Sequence, residues 1–478
     1  MTLLLSVLAC VSEPHRVITD DTGEPEPTTE EPTVTGPVGE TLAGPVTAYG
    51  LTNLRAERVV GQESILRVSW TQESAATVEV GFAFDGEEHR APARELGPGH
   101  HEELLLGVPY ETHLTWQVVL AGSRDAAETP WLSSRTGDLP KLLPDFRIQA
   151  HVPEHVDDSI TWFLVSVDEE RGFGGQWWTS IMDREGRVVW ARRSPRKRTT
   201  FYPRISVDGD QILLDLDSYW GDFDRGAASQ IQAVTIDGTE VGLWDAPGMH
   251  HSFTQLPDHT LLYGAYIGGP NHYDEELRAI APDNERTMLF HCGAWLEEID
   301  VHDQCASNTV SYDPVSGHVL MSWFSMDAVT EHAYPSGEVL RWFGDLPGAY
   351  TFQPADTQFW YQHGPHYLPN GHLLLSTHAE RPHSSELVVR EYVVDEGGER
   401  LRQVDALGVG EGVPGEQMGE AHRLPNGNTL HNFGTNAHLR EYAPDGEVVW
   451  EVDWDNDLEI GRTEPILVDL YDLAPTRP

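Results

Sequence analysis

Apolar and polar positions alternate in short runs along most of this chain, with Gly, Pro, Asn and Asp clustered between the runs, a pattern that predicts strands joined by tight turns. Beyond Lys141 two hairpin patterns recur. The turn residues Asp208, Asp258, Ser316, Asn370 and Asn426 stand in similar settings (SVDGDQILL, QLPDHTLLY, DPVSGHVLM, YLPNGHLLL, RLPNGNTLH), separated by 50, 58, 54 and 56 residues. A second hairpin interleaves with the first: IMDREGRVVW ends at Trp190, TIDGTEVGLW at Trp244, AYPSGEVLRW at Trp342 and YAPDGEVVW at Trp450. Each period therefore holds four strands. A recurring four-stranded unit buries its faces only against its neighbours, and a ring of such units is a β-propeller. Dividing residues 141–478 by the period gives about six blades, with seven if one is degenerate. The ring is expected to close by pairing of residues 450–454 beside residues 160–167.

Residues 45–140 make a separate expected unit, with strand-like runs at Ile65–Trp70, Thr77–Phe84 and Thr112–Leu120 and no helical period. About seven short strands in a segment of this length predict a β-sandwich. Trp70 on an early strand and LLLGVPYETHLTWQVV near the end resemble a fibronectin type III domain. The expected fold class is thus all-β, a six-bladed propeller preceded by a fibronectin III-like sandwich. Residues 11–44 (EPEPTTEEPTVTGP and its flanks) lack large apolar residues and read as an extended, disordered linker. Residues 1–10 end in Val7-Leu8-Ala9-Cys10, which resembles the lipobox of a bacterial lipoprotein, Cys10 being the residue lipidated after cleavage; a frayed apolar N-terminus is the alternative. The remaining cysteines, Cys292 and Cys305, either pair or stay as buried thiols.

Of 478 residues, 39% are hydrophobic, enough for a large core. Lys and Arg total 31 against 77 Asp and Glu, a formal charge of -46, so nucleic acid and anionic headgroups are repelled. No run is long and apolar enough to span a membrane. Membrane contact is expected only through the lipid anchor, which places the protein in the cell envelope. The acidic run DLDSYWGDFD (Asp215, Asp217, Asp222, Asp224) departs from the spacing of an EF-hand loop and reads as a solvated acidic turn.

Chemistry enters with the histidines that precede the repeated hairpin. YQHGPHYLPNGHLLLSTH, EAHRLPNGNTLHNFG and MHHSFTQLPDHTLLYG place His363, His422, and His250 with His251 in phase. Inner strands of a propeller line a central channel, so in-phase residues converge there. His250, His251, Asn308, Gln362, His363 and His422 are the candidates, each standing against the alternative of a structural, hydrogen-bonded side chain.

LPNG preceded by His, NTVSYDP with a following MDAV, GEVLRWFG, and QH before the next LPNG together resemble the bacterial aryl-sulfate sulfotransferase family over most of residues 145–455. That resemblance implies a six-bladed propeller that moves a sulfuryl group from a phenolic sulfate to a phenol through a sulfated histidine, without a nucleotide donor or other cofactor. It implies His363 as the nucleophile, a side chain lining a wet channel. It implies His251 as a sulfate-holding or acid–base group, and Asn308 as a donor to sulfate oxygen. His250, Gln362, His366 and His422 complete the expected substrate-binding set. The chain departs from the family pattern at Ala306 (His), Phe324 (Arg), Ser252 (Asp) and Gly364 (Asp). Loss of a cation at a transferring anion costs several kcal/mol of barrier, unless groups such as His366 or His422 compensate. Two other readings stand beside this one. They are a non-catalytic, lipid-anchored propeller that binds a glycan or protein, and a transition-metal site formed by converging channel histidines.

Overall fold

A computed structural model describes residues 37–44, 50–121, 127–170, 176–221, 224–268, 273–381, 386–455 and 458–475. Cys10 and residues 11–36 of the expected linker lie outside them, whereas residues 37–44, expected to belong to that disordered linker, are held to the strands that follow: Val38 N–H donates to Ala56 O at 2.9 Å and Leu42 exchanges backbone hydrogen bonds with Leu54. The described chain is all-β apart from a few short helical turns, and none of its helices is long and apolar enough to cross a membrane.

Two sheets built from residues 52–135 come first. One joins Thr52–Val59, Gln62–Gln72 and Gly99–Leu105; the other centres on Ala76–Phe84 paired with His113–Ala121. Inward residues of both, including Leu66, Val68, Trp70, Val80, Phe82, Trp116 and Val118, form one buried cluster, as alternation on facing sheets requires. The outward faces of Val59, Ile65, Leu104 and Leu106 do not meet water. They share a second cluster with Leu164, Ile181, Trp190, Leu470 and Leu473. Ser64 Oγ donates to Val189 O at 2.7 Å across the same seam. The change of sheet near residue 140 is therefore bridged by continuous apolar packing.

Six sheets follow among the described residues, four of four strands and two of five, each containing four antiparallel strands; the one parallel strand pairing sets Thr351–Gln353 beside Arg400–Leu407. The five LPNG-type turns all fall between the first and second strands of a sheet, as in Trp360–Tyr367 to Leu373–His378 and Glu420–Arg423 to Thr429–Asn432. The four tryptophan-ending hairpins all join third and fourth strands, as in His438–Tyr442 to Val448–Trp454. First strands of successive sheets touch one another: Met249–Gln255, Ser307–Asp313, Trp360–Tyr367, Glu420–Arg423, Ile460–Ile466 and Arg204–Ile205 follow in order. The ends of the chain join differently from expectation. Residues 448–454 pair with Phe146–His151, and it is the last strand, Ile460–Ile466, that pairs with Trp162–Asp168. Two sheets thus combine N- and C-terminal strands, which ties both ends of this region into the same hydrogen-bonded ladders.

Cys292 and Cys305 form a disulfide, with Cα atoms 6.1 Å apart, at the base of the short helix Cys292–Glu298. The acidic run is not a solvated turn, because Asp215 and Asp217 are wholly buried. Asp215 accepts from the amides of Phe201 and Tyr202, both at 2.8 Å, and Asp217 from that of Tyr219. Burial pushes the Asp215 carboxyl up to about 8 and Asp217 well above the usual range, so both serve as protonated or near-neutral caps of backbone amides.

Candidate functional site

The first residues of the touching strands bring a set of polar side chains onto the axis between the sheets. His250, His251 and His363 form one group; Tyr202, Asn308, Thr309, Glu420 and Arg462 lie beside it, and Arg204, His366, His422 and Glu464 extend from these.

His363 is 6% exposed and has both ring nitrogens engaged. Nε2 accepts from the Met418 amide at 3.2 Å, which leaves the proton on Nδ1 to be donated to Tyr361 O at 2.9 Å. Both of those backbone partners are non-glycine residues in the left-handed region, Tyr361 at φ 47° and Met418 at φ 64°. A bulky side chain there costs roughly 1 kcal/mol or more and persists only where surrounding structure imposes it. Burial, with Arg462 and His378 nearby, holds the His363 imidazole well below its ordinary pKa, so it is neutral. His363 is therefore not a loosely held lining of a wet channel.

His251 is also held neutral, by burial first and then by His250, His363 and Arg462. Its Nδ1 lies 2.5 Å from His250 Nδ1, and His250 Nε2 lies 3.0 Å from Glu275 Oε1. Trp220 and Phe324 pack against the His251 ring at 5.7 and 6.2 Å. Phe324 thus fills the place beside His251 with apolar surface.

Gln362 and Asn308 are wholly buried and tie neighbouring sheets together. Gln362 Nε2 donates to Ser322 Oγ at 3.0 Å and to Ala328 O at 2.8 Å; Asn308 Nδ2 donates to Gln362 O at 2.8 Å. Ser252 Oγ accepts from the Val310 amide at 2.7 Å. Ala306 is buried, its amide donating to Ser325 Oγ.

Arg462, on the final strand, was invisible to motif reading because GRTEPI belongs to neither repeat. It is 1% exposed, its guanidinium lies over the Tyr202 ring at 4.2 Å, and Nη2 donates to Thr309 Oγ1 at 2.8 Å and to the Tyr202 hydroxyl. Nη1 is 3.2 Å from Glu420 Oε1 but has no well-aligned hydrogen-bond acceptor. Gly364 accounts for this approach: at φ 61° it is in the left-handed region, and a Cβ there would stand 2.8 Å from Arg462 Nη1. A glycine at 364 makes room for an arginine from another sheet.

Around Arg462 the charges interlock. Glu420 Oε1 also meets Arg204 Nη2 at 2.7 Å, and its Oε2 is 3.2 Å from His422 Nε2. Burial alone would raise Glu420, but Arg204 and then Arg462 outweigh it and hold the carboxylate well below its usual range. Burial raises Glu464 despite Arg204. His366 Nδ1 donates to Gly364 O at 3.0 Å, its ring lies 6.0 Å from that of His422, and burial and His422 push it down to about 4.

The structure thus draws His250, His251 and His363 together and sets His366 with His422 apart from them by the Arg462–Glu420 layer. Among the described residues, three His, Asp or Glu groups come close enough to share a metal ion only at His438, Glu451 and Asp453, on the third and fourth strands of the last sheet. There Glu451 is already paired with Arg440 at 3.1 Å and lies 2.7 Å from His438 Nε2.

The site belongs to an all-β protein with neutral imidazoles and a buried arginine on the axis of its sheets. No family model and no curated relative matches the chain. Its solved likenesses are distant. One is a Bacteroides caccae protein of unknown function (16% identity, TM-score 0.43, covering 63% of this chain and 98% of that one). Another is the Pseudomonas aeruginosa periplasmic gluconolactonase PpgL (15%, TM-score 0.40, 81% and 99%). A third is a catalytically inactive virginiamycin B lyase from Staphylococcus aureus (9%, TM-score 0.38, 66% and 100%). Likenesses this remote identify no activity.

Proposed function

We propose that the six sheets are the blades of a β-propeller carrying a fibronectin III-like sandwich, and that its channel transfers a sulfuryl group between phenols through His363. The observation that carries the reading is the cradle of His363, a neutral imidazole whose two nitrogens are fixed by two left-handed, non-glycine residues. Backbone strain of this kind is retained at functional sites more than in ordinary packing. Met418 N–H, which now caps Nε2, becomes a donor to a sulfate oxygen once the imidazole attacks sulfur. Arg462 Nη1, with spare donor capacity one residue from His363, supplies the cation that Phe324 does not. His251 takes the proton of the accepting phenol and returns it to the next leaving phenolate, so the cycle balances. Activation of a neutral nucleophile and donors preset around developing charge are what such a transfer requires.

In this reading the protein is exported and held at the cell envelope through Cys10, with a small aromatic sulfate and a phenol as its partners. The test is incubation with 4-nitrophenyl sulfate, followed by peptide mass spectrometry for a sulfuryl adduct on His363, with His363→Ala as the control.

A second reading, a non-catalytic platform for a glycan or protein, is favoured by the structural ties of Gln362 and Asn308 and by the Met418 amide already on His363 Nε2. It predicts no adduct and no release of 4-nitrophenol from a folded protein.

A further inference from the structure

One buried group next to the site has no place in the scheme above. Glu275 is wholly buried on Glu275–Ile280, the third strand of its sheet, away from either repeated motif. Its Oε1 accepts from the Ser307 amide at 2.9 Å and faces His250 Nε2 at 3.0 Å as an ion-pair contact, while neither His250 Nε2 nor Glu275 Oε2 has an aligned hydrogen-bond partner. His250 in turn is 4% exposed, and its other nitrogen faces His251 Nδ1.

The protons in this line follow from valence. A carboxyl oxygen that already accepts from an amide favours an N–H rather than a lone pair facing it, and in the neutral form of His250 that is the ring's one N–H. His250 therefore keeps its proton on Nε2 and offers a lone pair at Nδ1. His251 must answer with Nδ1–H, since two lone pairs at this distance would repel. The remaining nitrogen of His251, Nε2, is left unprotonated on the side away from His250. The backbone holds the line in place, because Trp220 Nε1 donates to His250 O at 2.9 Å and the Tyr219 ring packs against His250 at 5.4 Å.

We propose that Glu275 and His250 are positioning residues that set the tautomer of His251, fixing Nε2 as its lone-pair nitrogen. The role assigned to that lone pair, taking the phenol proton, rests on the sulfuryl-transfer reading; the tautomer does not.

The experiment is 15N NMR of the full chain labelled at histidine, assigned through His250→Asn and His251→Asn, because protonated and lone-pair ring nitrogens resonate far apart. In the wild-type protein at neutral pH, the His251 Nε2 signal should fall in the lone-pair range and Nδ1 in the protonated range. Glu275→Gln, which keeps the accepting oxygen, should preserve that pattern, and Glu275→Ala should scramble it. Turnover of 4-nitrophenyl sulfate should fall about 100-fold in kcat for Glu275→Ala, the low end of what acid–base catalysis contributes, with KM little changed and partial retention in Glu275→Gln. A wild-type His251 protonated at Nε2 overturns the proposal, whether or not Glu275→Ala folds. So does an unchanged pattern in a folded Glu275→Ala. The predicted tautomer without any His363 adduct upholds the positioning and removes the sulfuryl-transfer reading instead.

Discussion

Two neighbouring layers of side chains, both largely buried, are electrostatically opposite. In the upper layer, His251 and His363 have lost most of their water, sit near one another and near Arg462, and are neutral. In the lower layer, Arg462 and Glu420 are buried and Arg204 is mostly so, yet Glu420 stays firmly ionised. Burial by itself always favours the uncharged form; what separates the layers is a matched countercharge within ion-pair distance. The upper layer therefore keeps uncharged imidazole lone pairs, and the lower layer holds a fixed set of paired charges beside them.

The lower layer should break hardest. Glu420→Gln leaves Arg204 and Arg462 facing each other without their shared carboxylate, and loss of one member of a buried ion cluster costs about 3–5 kcal/mol. Urea unfolding should show a loss in that range; a loss under about 1 kcal/mol would mean that water, not Glu420, balances the arginines.

The upper layer should yield less stability and more activity. His363→Ala leaves the Met418 amide and Tyr361 carbonyl unmade, at about 1–3 kcal/mol together, and removes turnover. His363→Asn, which restores part of the hydrogen bonding, should recover stability without turnover. Recovery of both would show that the ring serves only as a strut.

The smallest effect is a slope. His366 has a folded pKa of about 4 against 6.5 in the unfolded chain, so the unfolded state binds the proton first as pH falls. Its contribution to stability is full above pH 6.5 and is lost as pH drops toward 4, at up to about 1.4 kcal/mol per unit. His366→Gln should make stability fall less steeply across that window by the same amount. An unchanged slope would place the titrating proton elsewhere.

Much of this architecture is readable from pattern. The LPNG-type and tryptophan-ending hairpins mark the first-to-second and third-to-fourth strand turns, because a tight turn demands Pro, Asn, Asp or Gly at fixed offsets. In-phase histidines likewise marked His251 and His363 as neighbours. Arg462, Glu275 and Glu420 escaped, since each is a single polar residue on a strand whose turn chemistry says nothing of its side chain. The closing strands were misassigned for a related reason: Val448–Trp454 carries the repeated motif, whereas Ile460–Ile466, which pairs with Trp162–Asp168, carries none. Asp215 and Asp217 misled through composition, which records acidity but not the amides that an acid caps.

The claim at the centre of this account is that His363 is a nucleophile held by a strained cradle, not a strut between sheets. Rapid quench of the wild-type protein with excess 4-nitrophenyl sulfate, followed by peptide mass spectrometry, tests it directly. The account predicts a sulfuryl group on His363 that disappears when a phenol is added before the quench. A folded protein that releases no 4-nitrophenol and carries no adduct on His363 would contradict it.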